Sequence, residues 1–229
     1  MKQKELLEDP VSRLMTFARC SSGRRIIGLA GYPGSGKSTS CMVWADTVCR
    51  ETGEGALAVL GMDGFHLTRA ELSRMPDPDT AFARRGAPYT FDPLSFIAKL
   101  RELREASGKN SVGWPGFEHA VGDPVPDAHT VPAGCPLILV EGIYVLYRDG
   151  LWAGLEGLFD ETWFLDTPLE TAMTRVALRH QRAWGMSEAR ARERADRNDR
   201  LNCEYIAPGR DKADWLVKGT GRGGILSSR

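Results

Sequence analysis

The sequence has no long apolar run, no excess of charge of either sign and few cysteines. Its longest apolar runs, such as 137–140, are far too short to cross a bilayer. Thirty basic residues balance thirty acidic ones, so no overall field favours nucleic acid or an anionic membrane. The five cysteines are scattered without a C-x-x-C pair, which argues against a zinc site and a disulfide framework. We therefore expect no nucleic-acid partner and no membrane partner.

Signals for targeting and for division into domains are also missing. Residues 1–9 mix Lys and Glu without an apolar core, so they do not resemble a secretory signal. The cysteine usage favours a reducing compartment, and we expect a cytoplasmic protein. No repeat or low-complexity linker divides the 229 residues. This length suits one α/β domain, so residues 1–229 are predicted to form a single domain.

One stretch, residues 31–38, carries the clearest functional signal. It reads GYPGSGKS, follows the apolar run 26–30 and precedes a segment with helical spacing. In that context the pattern predicts a phosphate-binding loop. Glycines let successive backbone N–H groups point at one anion, and the N-terminus of the following helix favours negative charge. The alternative is a glycine-rich turn that only caps the helix.

The loop residues have separate expected roles. Lys37 is expected to reach the β- and γ-phosphates and to assist catalysis, and Ser38 to ligate Mg²⁺. ATP and Mg²⁺ are the predicted cofactors. The predicted nucleotide-binding residues of the loop are Gly34, Ser35, Gly36, Lys37, Ser38 and Thr39.

Apolar runs that alternate with helical segments predict a parallel sheet with helices on both faces. The residues around 75–92 are expected to form a loop, and the proline-containing stretch 112–127 an extended excursion outside the core sheet. The predicted strands cover 26–30, 56–60, 137–140, 162–165 and 214–217, and the predicted helices cover the N-terminal residues up to about 18, the segment after the phosphate loop, 93–106 and two segments after 168.

Two acidic residues follow predicted strands, at the edge of the sheet where the phosphate loop should lie. Asp63 is expected either to accept the proton of an incoming hydroxyl or to hold Mg²⁺ through water; a turn-forming Asp before Gly64 is the alternative. Glu141 is expected to position metal or water near the phosphates, because a carboxylate that leaves a buried strand is costly unless it is paired or bound to metal. A structural ion pair is the alternative at Glu141.

Residues 168–207 are predicted to form a helical lid. Residues 167–170 have a capping-box pattern that begins a helix lasting to about residue 185. Arg175, Arg179 and Arg182 share one face of it, so they are expected either to close over the phosphates or to be solvated. Arg175 is assigned to catalysis, and Arg175 with Arg179 to nucleotide binding. A second helix is expected from residue 187 to a point before the proline at 208. Its Arg190, Arg194 and Arg197 are expected to be solvated, and Asn198 and Asn202 to be helix-surface or local structural groups.

Polar residues in the loops between strands are candidates for binding a phosphate acceptor, because loops on a rigid scaffold commonly carry binding residues. Each of them has simple solvation as its alternative. The principal candidates are His66, Arg85, Tyr89, Asp92 and His119, and others in the same loops are Arg84, Glu118 and Asp123.

Several segments together resemble one superfamily. The phosphate loop GYPGSGKST, the strand end MDGFHL, and the stretches RRGAPYTFDPLSF and LILVEGIYVLY occur in the order seen in uridine kinases, phosphoribulokinases and pantothenate kinases. The segment FLDTPLETAMTRVALRHQRAWG resembles the lid of that superfamily. The segment RNDRLNCEYI is similar to a branch of nucleoside/nucleotide kinase-like proteins that includes fructose-transport kinases. The resemblance extends over residues 24–219.

This resemblance implies a P-loop NTPase fold, three-layered α/β/α with a mainly parallel sheet and a small helical lid. It also implies that Asp63 is the catalytic aspartate, that Lys37 and Ser38 bind nucleotide and Mg²⁺, and that Arg175 and Arg179 are lid arginines. Residues 86–92 are similar to the acceptor-side segment of pantothenate kinases. His66 stands where uridine kinases usually have tyrosine, and residues 117–119 do not clearly match their Tyr–His segment.

The sequence therefore predicts an ATP-dependent kinase that transfers the γ-phosphate to an alcohol group of a small molecule, such as a nucleoside, a sugar or a pantothenate-like compound. A regulatory nucleotide-binding module without phosphotransfer is one alternative. A GTPase-type switch is another, since residues 211–214 faintly resemble a guanine-reading motif. Whether the chain is a monomer or a homodimer stays open.

Overall fold

The central element is a parallel sheet, seen in a computed structural model that describes residues 5–20, 23–118 and 121–218. Six strands of the described part form this sheet, in the order β1-β8-β7-β2-β6-β3, and every neighbouring pair is parallel. Strands β4 and β5 pair with each other as a separate antiparallel hairpin. The strands are β1 Leu6–Leu7, β2 Arg25–Ala30, β3 Leu57–Gly61, β4 Val112–Glu118, β5 Asp123–Val131, β6 Leu137–Glu141, β7 Glu161–Asp166 and β8 Trp215–Lys218.

Helices connect the strands and cover the sheet. Short 3₁₀ segments occur at Met62–Phe65, Pro88–Thr90 and Gly150–Leu155, and a π-helical turn at Ala195–Arg200 joins the last two helices. None of the described helices is both long and apolar enough to span a membrane. The helices are α1 Pro10–Cys20, α2 Lys37–Thr52, α3 Arg69–Leu72, α4 Pro78–Ala83, α5 Pro93–Glu105, α6 Leu169–Trp184, α7 Glu188–Arg194 and α8 Leu201–Lys212.

Both faces of the sheet are buried. In β6, Ile138 and Val140 belong to one hydrophobic cluster, whereas Leu137 and Leu139 belong to another. Successive side chains of a strand point to opposite faces, so these clusters lie on opposite sides of the sheet. This explains the continuous apolar runs of the sequence, which are typical of strands covered by helices on both faces. The predicted α/β fold with a mainly parallel sheet is confirmed.

The structure differs from the sequence-based expectations at three connecting segments. Residues 6–7 pair with β8 as a strand, and α1 begins only at Pro10. The segment 75–92 contains the short helix α4, because Asp77 accepts a hydrogen bond from the Thr80 N–H and caps it. The proline-containing stretch lies outside the core sheet as expected, but it pairs into the β4–β5 hairpin.

Two expectations about the helices after β7 are wrong. The Thr167 hydroxyl donates to the Ser35 carbonyl and the Glu170 carboxylate binds Arg200, so neither side chain caps α6, whose N-cap is Pro168. The final helix also continues through Pro208 to residue 212. The side chain of Arg210 holds this last turn, since its guanidinium binds both carboxylate oxygens of Asp166 at 2.8 Å.

The arginine before β2 provides a test of how the sheet is anchored. Arg24 is 5% exposed, and its guanidinium donates to four carbonyls, those of Leu103, Pro132, Ala133 and Cys135. We expect Arg24→Leu to lower the free energy of unfolding by about 2–4 kcal/mol, because buried carbonyls lose their donors. Chemical denaturation measures this, with the exposed neighbour Arg25→Leu as the control. An equal, small effect of both substitutions would contradict the anchoring role.

Candidate functional site

The ends of three strands meet at one cavity. Glu141 of β6 lies in register with Leu29 of β2 on one side and with Gly61 of β3 on the other. The loop after β2, the residue Asp63 after β3 and Glu141 itself therefore lie at the same edge of the sheet. They line a cavity of about 500 Å³. The predicted convergence of these strand ends is confirmed.

The phosphate loop has the backbone conformation that its glycines allow. Gly34 and Gly36 have φ angles of +74° and +98°, which favour glycine strongly. The loop also packs closely on α6, since a Cβ atom on Gly34 would lie 2.3 Å from the Ala172 carbonyl oxygen. The Ser35 carbonyl accepts hydrogen bonds from Thr167 Oγ1 at 3.0 Å and from Arg175 Nη1 at 3.3 Å. Helix α6 and Thr167, which precedes it, therefore hold the loop in place.

The lysine of the loop is buried at the start of α2. Lys37 is 7% exposed, and its Nζ donates to the carbonyls of Gly31 and Tyr32 at 3.0 Å. Burial lowers the pKa of the Lys37 ammonium, and the negative charges of Glu141 and Asp63 oppose that shift. Its position at the N-terminal end of a helix, among backbone N–H groups, suits a polyphosphate anion.

Ser38 and Glu141 form a pair of oxygen ligands beside the lysine. Ser38 Oγ donates to Glu141 Oε1 at 2.6 Å. Burial raises the pKa of the Glu141 carboxyl, while the charge of Lys37 and the Ser38 hydrogen bond lower it. A hydroxyl and one carboxylate fit Mg²⁺, which binds few protein oxygens and keeps several waters. The described residues contain no group of three or more His, Cys, Asp or Glu side chains placed to hold a metal.

Asp63 stands in the first turn after β3, within the 3₁₀ segment 62–65. Its side chain is exposed to the cavity, and no hydrogen bond or ion pair joins its carboxylate to another described residue. The Asp63 carbonyl oxygen, by contrast, is fixed, lying 2.8 Å from His66 Nδ1. The backbone is thus held while the carboxylate stays available to a ligand.

The residues predicted to bind an acceptor occupy different places. His66 and Arg85 line the cavity with Asp63, and the His66 ring packs against Phe91 with a centroid distance of 3.9 Å. Tyr89 is 46% exposed and does not line this cavity. The Asp92 carboxylate caps α5 by accepting from the Ser95 N–H at 3.0 Å. His119 lies outside the described residues.

The lid arginines are divided by the structure. Arg175 and Arg179 line the cavity, whereas Arg182, on the same helix, does not.

Of the other loop candidates, Asp123 accepts from the Arg69 N–H at 2.7 Å and lies 3.6 Å from Arg85.

Sequence reasoning missed Asp199 and Asn202, which also line the cavity. Asn202 is 2% exposed and its Oδ1 accepts from Arg84 Nη2 at 2.9 Å, so of its two expected positions it has the structural one and not the helix-surface one. Asn198 also has a structural partner, because its Oδ1 accepts from Arg84 Nη1 at 2.9 Å. Asp199 and Asn202 both lie in the segment RNDRLNCEYI, which carries part of the family resemblance, and that signal could have placed them at the cavity.

The segment 211–214 does not form a guanine site. Lys212 ends α8, and Asp214 Oδ2 accepts hydrogen bonds from the N–H and the hydroxyl of Thr162 at 2.7 and 2.8 Å. These contacts join the segment to β7, away from the residues that line the cavity.

A parallel sheet with a glycine-rich phosphate loop between its central strand and a helix defines the P-loop nucleotide-binding class. Within that class, a family model described as the phosphoribulokinase / uridine kinase family matches residues 26–222. The chain belongs to this family.

Individual relatives agree with this family. The protein C227.14 of Schizosaccharomyces pombe, named as a candidate uridine kinase, is 37% identical over 80% of this chain and 78% of its own length. The ATP-dependent kinase-like protein notR' of Aspergillus versicolor is 38% identical over 70% of this chain and 95% of its own. A solved Silicibacter sp. TM1040 structure, named as a candidate fructose transport system kinase, superposes with a TM-score of 0.78 and 28% identity, covering 91% and 98% of the two chains.

The close packing of the loop on α6 can be tested at Gly34. We expect Gly34→Ala to weaken ATP binding about tenfold or more, because its methyl group would collide with the Ala172 carbonyl and displace the loop. Isothermal titration calorimetry measures the affinity. The control is Gly53→Ala at the other end of α2, where φ is +116° but nothing lies within 4 Å of the added atom. Equal ATP affinity in the two variants would contradict this account.

A buried histidine in α6 predicts a pH dependence of stability. His180 is 4% exposed, and burial, followed by the charges of Arg179 and Arg194, lowers its pKa from 6.5 to about 4. The unfolded chain therefore binds a proton at a higher pH than the folded chain does, and His180 makes stability fall as the pH drops from 6.5 to about 4.

The test compares the free energy of unfolding across this pH range. We expect the free energy of unfolding to fall less with decreasing pH in His180→Gln than in the wild type, and to fall as in the wild type in the exposed control His129→Gln. The same pH slope in wild type and in His180→Gln would contradict the assignment.

Proposed function

We propose that this protein is an ATP-dependent kinase that transfers the γ-phosphate of ATP to a hydroxyl group of a small molecule. The observation that carries the proposal is the free carboxylate of Asp63, which lines the same cavity as the phosphate loop. A nucleotide-binding site alone does not need such a group. A phosphoryl transfer site does, because the attacking hydroxyl must be oriented and must lose its proton.

The nucleotide end of the cavity is formed by the loop and α6. Lys37 and the backbone N–H groups of residues 34–39 would bind the β- and γ-phosphates, and Arg175 and Arg179 lie on the facing helix to interact with them. Ser38 and Glu141 would hold Mg²⁺. When bound, this ion neutralises charge on the phosphate oxygens.

In the proposed reaction, Asp63 accepts the proton of the acceptor hydroxyl as that oxygen forms a bond to the γ-phosphorus. The bond between the γ-phosphorus and the β–γ bridging oxygen breaks, and ADP leaves with the electron pair. Lys37 and the arginines stabilise the negative charge on the transferring group, and their preorganised positions supply most of the catalysis. Residues 168–207 act as the lid that keeps water from the reaction.

The acceptor would enter from the side of His66 and Arg85. These two residues line the cavity but belong to the segments after β3 and α4, not to the phosphate loop. The names of the relatives mention uridine and fructose. These names support nucleosides and sugars as candidate acceptors, and the resemblance of residues 86–92 to pantothenate kinases adds pantothenate-like alcohols.

The assay for this proposal measures ADP formation from ATP with a panel of such alcohols. We expect turnover that depends on an acceptor, and a loss of kcat of about 100-fold or more in Asp63→Asn with little change in ATP affinity, because only proton acceptance is removed. Lys37→Ala should weaken both ATP binding and kcat. The control is Asp79→Asn, an exposed residue of α4.

Two outcomes would contradict the proposal. Nucleotide binding without turnover on any acceptor would instead favour a regulatory module, and a tight preference for GTP would favour a switch. Full activity of Asp63→Asn would remove the role assigned to that carboxylate.

A further inference from the structure

The orientation of the Asn202 amide is determined by its neighbour. Asn202 Oδ1 accepts a hydrogen bond from Arg84 Nη2 at 2.9 Å. A guanidinium group has only donors, so the oxygen of the amide must face it. The amide nitrogen Nδ2 consequently points away from Arg84.

The Nδ2 group of Asn202 lies at the cavity. It would be 3.3 Å from a Cβ atom on Gly86, another residue of the cavity wall. Nothing among the described residues accepts a hydrogen bond from it, although the side chain as a whole is 2% exposed. The amide nitrogen itself is not among the fully buried atoms that lack a partner, so it is accessible from the cavity. This donor is therefore suited to an oxygen atom of a ligand.

A second group with spare binding capacity is the guanidinium of Arg85. This side chain is 17% exposed, and its Nη2 donates to the Leu67 carbonyl at 2.9 Å. Among the described residues, its buried Nε has no hydrogen-bond partner, and its Nη1, which is not among the fully buried atoms, forms no hydrogen bond. Asp123 forms an ion pair with Nη2 at 3.6 Å and also accepts a shorter bond from the Arg69 N–H. Burial lowers the pKa of the Arg85 guanidinium, and the carboxylate of Asp123 opposes that shift.

Both groups are held by one network. Arg84 donates to Asn198 and Asn202, and Asn198 Nδ2 donates to the Arg85 carbonyl at 3.0 Å. The guanidinium of Arg85 also packs over the ring of Phe117, with a distance of 5.3 Å between its Cζ atom and the ring centre. Binding groups fixed in this way lose little entropy when a ligand arrives.

Of the three carboxylates that line the cavity, Asp63, Glu141 and Asp199, the last belongs to the same segment as Asn202. Asp199 lies 3.6 Å from His180 Nε2, and burial raises the pKa of its carboxyl, which the positive charges of Arg179 and Arg194 oppose. Asp199 is therefore compensated by groups of α6 and α7 rather than by Arg85.

We infer that the phosphate acceptor is itself an anion, and that its carboxylate or phosphate group is bound by Arg85 while Asn202 donates an N–H to an acceptor oxygen. This inference rests on the proposed function. It narrows the acceptor from alcohols in general to hydroxy acids or phosphorylated alcohols, because an anionic group would add a second negative partner, beside Asp123, to the partly buried guanidinium of Arg85.

The test uses pairs of acceptors that differ in charge. The pairs are ribose 5-phosphate with ribose, pantothenate with pantothenol, and gluconate with glucitol; the first examines phosphate and the other two examine carboxylate. For each compound we measure kcat/KM for ADP formation, and calorimetric binding to protein saturated with Mg²⁺ and a non-hydrolysable ATP analogue. We expect at least one anion to exceed its neutral partner about tenfold or more in both measurements.

Two substitutions examine the residues. Arg85→Gln should remove the preference for the anion without changing the affinity for ATP, and Arg85→Lys should restore part of it. Asn202→Asp keeps an oxygen that accepts from Arg84 but replaces the amide donor by a negative charge, so it should weaken binding of the anion about tenfold or more. The matched controls are the exposed residues Arg101→Gln and Asn110→Asp, and melting temperatures verify that all variants are folded.

The outcomes separate this inference from the proposed function. Equal or better binding of the neutral member in every pair, no binding of any member, or an undiminished preference in Arg85→Gln would overturn the inference. ADP formation with neutral alcohols alone would support the proposed kinase activity and refute the inference that the acceptor is an anion. A preference for anions in binding without ADP formation would support the inference and refute the kinase.

Discussion

The parallel pairing of β6 between β2 and β3 is the constraint on which the site depends. Its register sets Glu141 beside Leu29 and Gly61, the positions from which the chain continues to the phosphate loop and to Asp63. A shift by one residue would turn every side chain of β6 to the other face of the sheet. Both faces are closely packed with side chains of different shape, so such a shift would disrupt the packing on both sides of the sheet and would displace the carboxylates relative to Lys37.

Helix α6 connects the phosphate loop to the rest of the cavity. Gly34 lies against the Ala172 backbone, and Ser35 accepts hydrogen bonds from Thr167 and Arg175. The same helix carries Arg179 into the cavity. The loop that is suited to the nucleotide and the arginines that face it are therefore parts of one packed unit, so that a change in the position of α6 would alter both.

The extent to which the sequence predicted this structure varies with the range of the interactions. The strands β2, β3, β6 and β7 were found because a buried parallel strand is apolar throughout its length. The hairpin β4–β5 was missed as a hairpin because its prolines argue against strand pairing, although pairing at the edge tolerates them. The helix through Pro208 was missed because proline usually ends a helix, whereas here Arg210 and Asp166 hold the last turn.

By itself, the sequence determined the class of fold, the phosphate loop and the two acidic residues at the strand ends, since these depend on local spacing and on the general geometry of parallel sheets. Tertiary structure alone decided that Asn202 is buried with its nitrogen at the cavity, that Arg85 lines this cavity, and that Asp92 caps a helix instead. The physical reason is that the hydrogen-bond partners of a polar side chain depend on which segment packs against it, and local sequence does not specify that segment. For Asn202 that segment, Arg84–Gly86, lies more than a hundred positions away along the chain.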